Sequence, residues 1–381
     1  MGRLRTITRR TLLIGSAAIV GGVAIGYWRY KTPYKNPLLE DLDDGEAALT
    51  PYVRIDADGI TVIAPRAEMG QGVSTTLAAL VAEELDVALE DINVEHGPAS
   101  KAYFNGVVLE EGLPGIATTN EEWLARNLRS FTHVPAKFLG LQITGGSSSI
   151  PDGYVKMRTA GAAARHALVA AAAERLGVDR DSLRTENGYV IAGDGTSLAY
   201  TELAEAAAEV DLPSEPELKD PSEWKLLGRS QQRVDVVGKS TGTAEFGVDV
   251  RLPNMLYATV RMNPRLGGAM NGHDASRAES MTGVERIIPF DDGIAVVATN
   301  TWYALQAAQA VECDWGDAPY PATSDEMLES VRNSFDREFE DSRFRDDGDV
   351  ETALIEADIV EAEYRVPFLA HATMEPMNAV A

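Results

Sequence analysis

A Gly-Gly-Ser-Ser-Ser loop that runs into a long alanine-rich helix constrains this chain more than any other feature of its sequence. The loop comprises Gly145, Gly146, Ser147, Ser148 and Ser149, and we predict the helix over residues 152–176. The first amides of a helix have no partner within the helix, and the helix dipole favours negative charge there. Together with three hydroxyls, these amides predict a site for phosphate or another polyoxygenated anion.

A second loop of the same design occurs earlier in the chain. Gly70, Gln71 and Gly72 precede a predicted helix that ends near Leu85. Either loop alone is more often a plain turn than a binding site. Two such loops, each leading into a helix, predict one large anionic cofactor that is bound from two sides.

The pattern of apolar residues predicts an α+β (mixed α/β) fold. Alternation around Asp58-Gly59 predicts a β-hairpin over residues 52–64. We also predict a helix over residues 119–131 and a strand over residues 359–368. Three prolines and a high density of charge indicate a linker over residues 211–225.

The charge of the chain is distributed unevenly. The net charge is −25, yet residues 1–35 contain seven Lys or Arg and no acidic residue. The acidic remainder repels nucleic acid, so we expect no DNA or RNA partner. Arg9-Arg10 before the apolar residues 12–28 predicts a twin-arginine export signal, the alternative being an ordinary signal-anchor. Those 17 residues would span about 25 Å, enough for a membrane anchor.

Side chains that could hold a metal or form a disulfide are scarce. Cys313 is the only cysteine, and the five histidines show no ligand spacing. A disulfide within the chain, an iron–sulfur cluster and a cysteine-rich zinc site are therefore excluded. We expect no metal to be held directly by side chains.

Four segments of the chain together resemble the molybdenum-cofactor-binding large subunit of the xanthine oxidase family. The closest branch resembles the isoquinoline 1-oxidoreductase beta subunit and the membrane-bound aldehyde dehydrogenases. The segments are Glu68–Val73, Gly145–Ser149 with the helix through Arg158 and Gly161, Gly242–Phe246 with Asp249, and Asp349–Glu351 with His371 and Met374–Pro376.

This resemblance implies four parts of the chain. They are a twin-arginine signal or membrane anchor (residues 1–35), an N-terminal molybdenum-cofactor-binding lobe (36–225), an α/β hammerhead domain (226–335) and the incomplete start of a second cofactor-binding lobe (336–381). It further implies a molybdopterin cofactor, in the cytosine dinucleotide form, with molybdenum held by the pterin. By analogy, Gln71 contacts the pterin or the metal's oxo region, the amides of Gly70 and Gly72 allow close approach, and Ser147, Ser148 and Ser149 contact the phosphates.

The resemblance also implies an activity and partners. The activity is hydroxylation of an aldehyde or an N-heterocycle with water as the oxygen source. Electrons leave through a small subunit with two [2Fe-2S] clusters, often onward to a c-type cytochrome. The family's general-base glutamate is expected beyond Ala381, so we assign no catalytic residue and interpret the chain as a truncated subunit, or less favourably as one half of a split enzyme.

Two other interpretations remain open at this point. In the first, the chain is a non-catalytic, exported binding or scaffold protein that retains the fold of the xanthine oxidase family subunits without their activity. A nucleotide-binding protein with generic phosphate loops is disfavoured, because neither a P-loop nor a G-x-G-x-x-G motif occurs in a strand–helix setting.

Overall fold

The computed structural model describes residues 30, 32–40, 42–112, 122–335, 348–355 and 357–381. Two sequence predictions lie wholly or partly outside these residues. They are the signal and anchor, nearly all of which is outside, and the start of the predicted helix 119–131. Within the described ranges, no helix is long and apolar enough to cross a membrane. The chain divides into two compact units, one ending at Ala244 and the other covering Glu245–Ala381.

A four-stranded sheet organises the first unit. Its strands, in their order in the sheet, are β1 (Ala47–Thr50), β2 (Val53–Asp56), β3 (Gly59–Ile63) and β4 (Ile92–Glu95). Strands β2 and β3 pair antiparallel with Asp56 opposite Gly59, which confirms the predicted hairpin. Strand β4 lies parallel to β3, so the chain must cross over between these two strands.

The helices of the first unit lie mostly where the sequence predicts them. They are α1 (Val73–Leu85), α2 (Trp123–Leu139), α3 (Ser149–Leu176), α4 (Tyr200–Ala208) and α5 (Val236–Thr241). Helix α1 provides the crossover from β3 to β4. Helix α2 continues past the predicted end at Phe131, and α3 begins three residues before the predicted start. A small antiparallel sheet contains β5 (Leu183–Glu186), β6 (Tyr189–Ala192) and β7 (Ser197–Ala199).

Helix α1 forms the centre of the main core. Every residue of α1 except Thr76 is buried, and its apolar side chains share one cluster with residues of the four-stranded sheet, α3 and α4. The contact with α3 depends on a glycine, since a Cβ atom on Gly161 would lie 2.7 Å from the carbonyl oxygen of Val81. This contact fixes α3, and with it the serine loop, against the helix that follows the first glycine loop.

The first unit extends beyond the expected boundary at residue 225. The buried carboxylate of Glu83 accepts hydrogen bonds from the amides of Lys225, Leu226 and Leu227 at 2.7–3.0 Å. Leu226, Leu227 and Val234 also pack against the core cluster. Residues 226–244 therefore belong with the first unit, while the assignment of the four named parts stays a prediction.

The second unit has its own smaller core. Its strands are β8 (Tyr257–Met262), β9 (Met270–Asp274), β10 (Val284–Phe290), β11 (Gly293–Ala298) and β12 (Glu312–Trp315). Its helices are α6 (Ser276–Glu279), α7 (Thr301–Ala310), α8 (Ser324–Asn333) and α9 (Val350–Ile355). Strands β10, β11 and β8 form an antiparallel sheet, and β12 pairs with β9.

The strand predicted over residues 359–368 does not form. Its described residues pair with no strand, and Val360 and Tyr364 are 98% and 88% exposed. The alternating apolar residues resemble a strand in sequence, but a strand needs a hydrogen-bonding neighbour. The short helix α9 precedes this segment and begins right after Asp349.

Candidate functional site

The two glycine-rich loops line one cavity in the first unit. Loop 1 (residues 64–72) follows β3 and leads into α1, and loop 2 (residues 140–148) connects α2 to α3. The cavity has a volume of about 400 Å³, and its lining residues are Met69, Gln71, Val73, Thr76, Thr144, Gly145, Ser147, Ser149 and Ile150. The amide of Ala67 donates to the hydroxyl of Thr144 at 2.9 Å, which joins the loops directly. The structure thus brings together the two segments that the sequence places in different parts of the chain.

The predicted site residues do not contribute equally to this cavity. Gln71, Gly145, Ser147 and Ser149 line it, whereas Gly70, Gly72, Gly146 and Ser148 do not. The three glycines outside the lining have positive φ angles of 98°, 81° and 56°. Glycine adopts this conformation without steric cost, so these residues shape the loops rather than present donors.

Glu68 occupies the amides that were expected to be free in loop 1. Its Oε1 accepts from the amides of Gly70 and Gly72 at 2.8 and 3.0 Å, and its Oε2 accepts from Ser74 at 3.1 Å. Burial raises the pKa of Glu68, but these bonds and the nearby Arg233 outweigh it and hold that pKa below its ordinary value. An anion in the cavity would not find these two amides free, because a carboxylate of the same loop already accepts from them. The close approach of a cofactor to Gly70 and Gly72 stays a prediction.

The side-chain amide of Gln71 hydrogen-bonds to the backbone of loop 1. Its Oε1 accepts from the Met69 amide at 2.6 Å, and its Nε2 donates to the Ala67 carbonyl at 2.9 Å. The side chain nevertheless lies at the exposed surface and lines the cavity. Gln71 therefore has a defined position at the cavity wall.

Loop 2 supplies the unused donors of the site. In the described part of the chain, no residue hydrogen-bonds to the hydroxyls of Ser147 or Ser149, or accepts from the amides of Ser149 and Ile150. These two amides begin α3, a helix of 28 residues, so they carry the positive end of its dipole. The open cavity thus has an anion-binding wall on the side of loop 2.

Ser148 has a structural role instead of the predicted contact with phosphate. Its side chain is buried, and its hydroxyl donates to the carbonyl of Gly145 at 2.6 Å. It also accepts from the side-chain amide of Asn105 at 2.8 Å. Because both bonds point into the protein, Ser148 closes the loop while its neighbours face the cavity.

A buried ion pair that sequence reasoning missed connects the two loops at their base. Arg66, in loop 1, contacts Asp152, in the first turn of α3, at 2.8 Å, and their side chains are 4% and 3% exposed. Asp152 also accepts from the amide of Gly106 at 2.7 Å and from Lys156. Arg66 donates to the carbonyls of Pro65 and Tyr103. The only sequence signal was the presence of two charges beside the two loops.

A larger open groove of about 570 Å³ lies in the first unit but includes no predicted site residue. Its charges largely compensate each other, since Lys219 contacts Asp86 at 2.6 Å and Arg165 lies 3.8 Å from the same carboxylate. Burial raises the pKa of Asp86, but hydrogen bonds from Lys219 and Thr185 outweigh it and lower that pKa overall. These paired charges stabilise the linker after α4. The cavity between the two loops is therefore the better candidate for a binding site.

A metal bound directly by the protein has no support among the described residues. No group of three or more His, Cys, Asp or Glu side chains in that part of the chain could hold a metal ion. Cys313 is half-buried on β12, in the second unit.

Comparison with known proteins shows a similarity that includes one of the two loops. The family described as molybdopterin cofactor-binding domain matches residues 13–107, a range that contains loop 1. One of the subunits of nicotinate dehydrogenase from Pseudomonas putida is 26% identical, over 88% of this chain and 26% of that protein. The beta chain of isoquinoline 1-oxidoreductase from Brevundimonas diminuta is 29% identical, over 80% of this chain and 39% of that protein.

A third relative aligns along almost the whole chain. The membrane-bound aldehyde dehydrogenase (pyrroloquinoline-quinone) of Gluconacetobacter polyoxogenes is 27% identical, over 99% of this chain and 46% of that protein. The chain spans less than half the length of each of these three relatives. Over the part of these proteins that it covers, the chain is similar to a molybdopterin cofactor-binding domain and to subunits of dehydrogenases and oxidoreductases.

Proposed function

We propose that the cavity between loops 1 and 2 holds part of a molybdenum cofactor in a subunit of a molybdenum hydroxylase. The observation that carries this proposal is the hydrogen bond between Ala67 and Thr144, which holds a family-matched loop against a second loop with unused donors. A pterin dithiolene supplies the metal's sulfur ligands itself, so the lack of a ligand cluster among the described side chains fits this group.

The two loops hold different parts of the cofactor in this proposal. The phosphate portion binds at the start of α3, where Ser147 and Ser149 offer hydroxyls and Ser149 and Ile150 offer amides. Loop 1 does not compete for the phosphates, because Glu68 already satisfies the amides at the start of α1. Gln71 contacts the less charged part of the cofactor across the cavity, and a cytosine dinucleotide extension is our choice for the phosphate end.

The reaction we propose is hydroxylation of an aldehyde or an N-heterocycle with water as the oxygen source. The names of the three relatives support these two substrate classes, since they refer to nicotinate, isoquinoline and aldehyde. When bound, the cofactor supplies the two-electron oxidation. The chain's own residues bind and orient it, and we propose that the electrons leave through a separate [2Fe-2S] subunit, then a cytochrome.

We propose an exported, membrane-tethered location for the protein. Arg9-Arg10 and the apolar residues 12–28 support this location, together with the concentration of positive charge in residues 1–35. The twin-arginine route fits a protein that acquires its cofactor before export. The acidic body of the chain would then lie on the periplasmic side.

A cofactor-loading experiment tests the proposed function. The full chain is produced in a host that makes the molybdenum cofactor, and molybdenum and pterin are quantified per protein. We expect Gln71→Ala to lower the occupancy several-fold without changing the far-ultraviolet circular dichroism. Gln142→Ala, which changes an exposed glutamine outside the cavity lining, is the matched control.

Two outcomes would contradict this proposal. One is a wild-type chain that contains neither molybdenum nor pterin in a host that loads another molybdenum hydroxylase; this would favour the non-catalytic binding protein. The other is equal occupancy in the Gln71 and Gln142 variants, which would place the cofactor away from loop 1.

A further inference from the structure

Helix α2 exposes an apolar stripe along one side. Leu124, Leu128, Phe131 and Phe138 follow helical spacing and project within a narrow arc of the helix. Phe131 is 70% exposed and Leu124 is 61% exposed. The buried residues Ala125, Arg129 and Ala136 lie on a different side of the helix and face the protein. The stripe is therefore a surface that the first unit itself does not cover.

The charge of α2 is opposite to that of the chain as a whole. The helix contains Arg126, Arg129 and Lys137 and no acidic residue, although the chain has a net charge of −25. Trp123, in its first turn, is 71% exposed. Of these cations Arg126 is exposed, whereas Arg129 is buried beside Glu110. An apolar stripe with an exposed arginine and an exposed tryptophan on the same helix fits helices that lie in the interface of a membrane with anionic lipids.

The end of α2 is attached to the chain segment that follows the predicted membrane anchor. The ammonium group of Lys137 donates to the carbonyl of Thr32 at 2.9 Å and also to that of Tyr30. The hydroxyl of Tyr34 donates back to the carbonyl of Lys137 at 2.6 Å. Tyr30 comes two residues after the end of the apolar stretch 12–28. If that stretch enters a bilayer, its exit point lies next to the last turn of α2.

We propose that α2 lies on the surface of an anionic phospholipid bilayer and forms a second membrane contact beside the N-terminal anchor. This inference rests on the membrane tether included in the proposed function. The anchor would hold one end of the helix at the headgroups, and the apolar stripe would enter the boundary between headgroups and acyl chains. Two contacts fix the orientation of the first unit on the membrane, which a single flexible tether would not do.

Site-specific labelling of the full chain tests this proposal. In a Cys313→Ser background, Phe131→Cys carries an environment-sensitive fluorophore, and Ser130→Cys and Val178→Cys carry the same label at exposed control positions. Vesicles contain phosphatidylcholine and phosphatidylglycerol, with or without nitroxide-labelled lipid. We expect vesicles to shift the emission at position 131 to shorter wavelength and nitroxide lipid to quench it, with smaller changes at position 130 and none at position 178.

The results separate the helix contact from the tether. Vesicle flotation reports the tether, so a chain that floats while position 131 keeps its water-like emission contradicts the helix contact alone. A chain that does not float, and whose position 131 does not respond, contradicts both. A blue-shifted position 131 before vesicles are added, or after a partner protein is added without lipid, also overturns the proposal because protein then covers the stripe.

A second measurement avoids the substituted phenylalanine. The emission of wild-type chain minus that of Trp123→Phe isolates the native tryptophan at the start of α2. We expect this difference signal to be quenched by brominated phosphatidylglycerol vesicles. Equal quenching of the wild type and Trp123→Phe would contradict contact of α2 with the lipid.

Discussion

Arg66 and Asp152 form an ion pair of 2.8 Å that is almost completely buried. Arg66 lies in loop 1, and Asp152 lies in the first turn of the helix that follows loop 2. The pair therefore links the bases of both loops, while the bond from Ala67 to Thr144 links the loops nearer the cavity. The relative position of the two loops is set by the protein before any cofactor binds.

Breaking this pair should destabilise the first unit. Arg66→Met leaves the buried Asp152 carboxylate without its closest guanidinium, and we expect the free energy of unfolding to fall by about 3 kcal/mol or more. Urea denaturation at neutral pH measures the loss. Arg54→Met, which removes the more exposed contacts with Glu46 and Glu95, should cost less than about 1 kcal/mol. Equal losses in the two variants would contradict the role of the Arg66–Asp152 pair.

Substitutions of the serines in and after loop 2 should affect either cofactor binding or the stability of the fold, depending on the position. We expect the double variant Ser147→Ala, Ser149→Ala to reduce pterin occupancy while leaving the urea midpoint unchanged, because neither hydroxyl has a protein partner among the described residues. We expect Ser148→Ala to lose about 1–3 kcal/mol of stability, because its hydroxyl bonds to Asn105 and Gly145 are buried. If Ser148→Ala lowered the pterin occupancy and the double variant lowered the stability instead, Ser148 and not its neighbours would face the ligand.

Glu68 should make the stability of loop 1 depend on pH. Burial acts to raise its pKa, but three amide hydrogen bonds and Arg233 lower it from an ordinary value of 4.5. The folded state therefore favours the ionised carboxylate. Its stabilising contribution is complete above that ordinary value and disappears as the pH falls through the lower folded pKa.

Comparison of Glu68→Gln with the wild type measures this dependence. At pH 7 we expect the variant to be less stable by about 1 kcal/mol, the usual contribution of a carboxylate that caps a helix. In more acidic buffer, below the folded pKa of Glu68, the difference should vanish. A difference that stays constant from pH 7 into this acidic range would show that the charge of Glu68 is not what stabilises the loop.

We expect position 161 to accept only glycine without a loss of stability. An added Cβ would lie 2.7 Å from the Val81 carbonyl oxygen, where α3 crosses α1. We expect Gly161→Ala to destabilise the fold by about 1–3 kcal/mol through overpacking, although alanine favours helix formation. Gly238→Ala in α5 is the control, since its Cβ meets atoms no closer than 3.6 Å. A stabilised Gly161→Ala variant would contradict the close packing of α1 and α3.

The sequence contained enough information to predict the local elements of the site. Alternation over residues 52–64 predicts the hairpin, and a glycine-rich loop before an apolar helix predicts loop 1 and α1. These signals depend on residues that are close in sequence. They predict where each loop begins and that the loops are related in design.

The contacts that assemble the site were not predictable in the same way. Glu68 lies two residues before Gly70, yet only the loop conformation shows that its carboxylate turns back onto the amides at the start of α1. The pairing of Arg66 with Asp152 joins residues separated by 86 positions. The strand predicted over residues 359–368 failed for a related reason, since pairing with a neighbour decides whether an alternating segment becomes a strand.

The most direct test of the central claim is a structure of the loaded full-length protein, determined at a resolution that shows the cofactor. We expect cofactor density between the loops, with phosphate oxygens at hydrogen-bond distance from Ser147 and Ser149 and the pterin portion beside Gln71. Cofactor density located elsewhere, with this cavity filled only by water, would show that the two loops do not bind the cofactor.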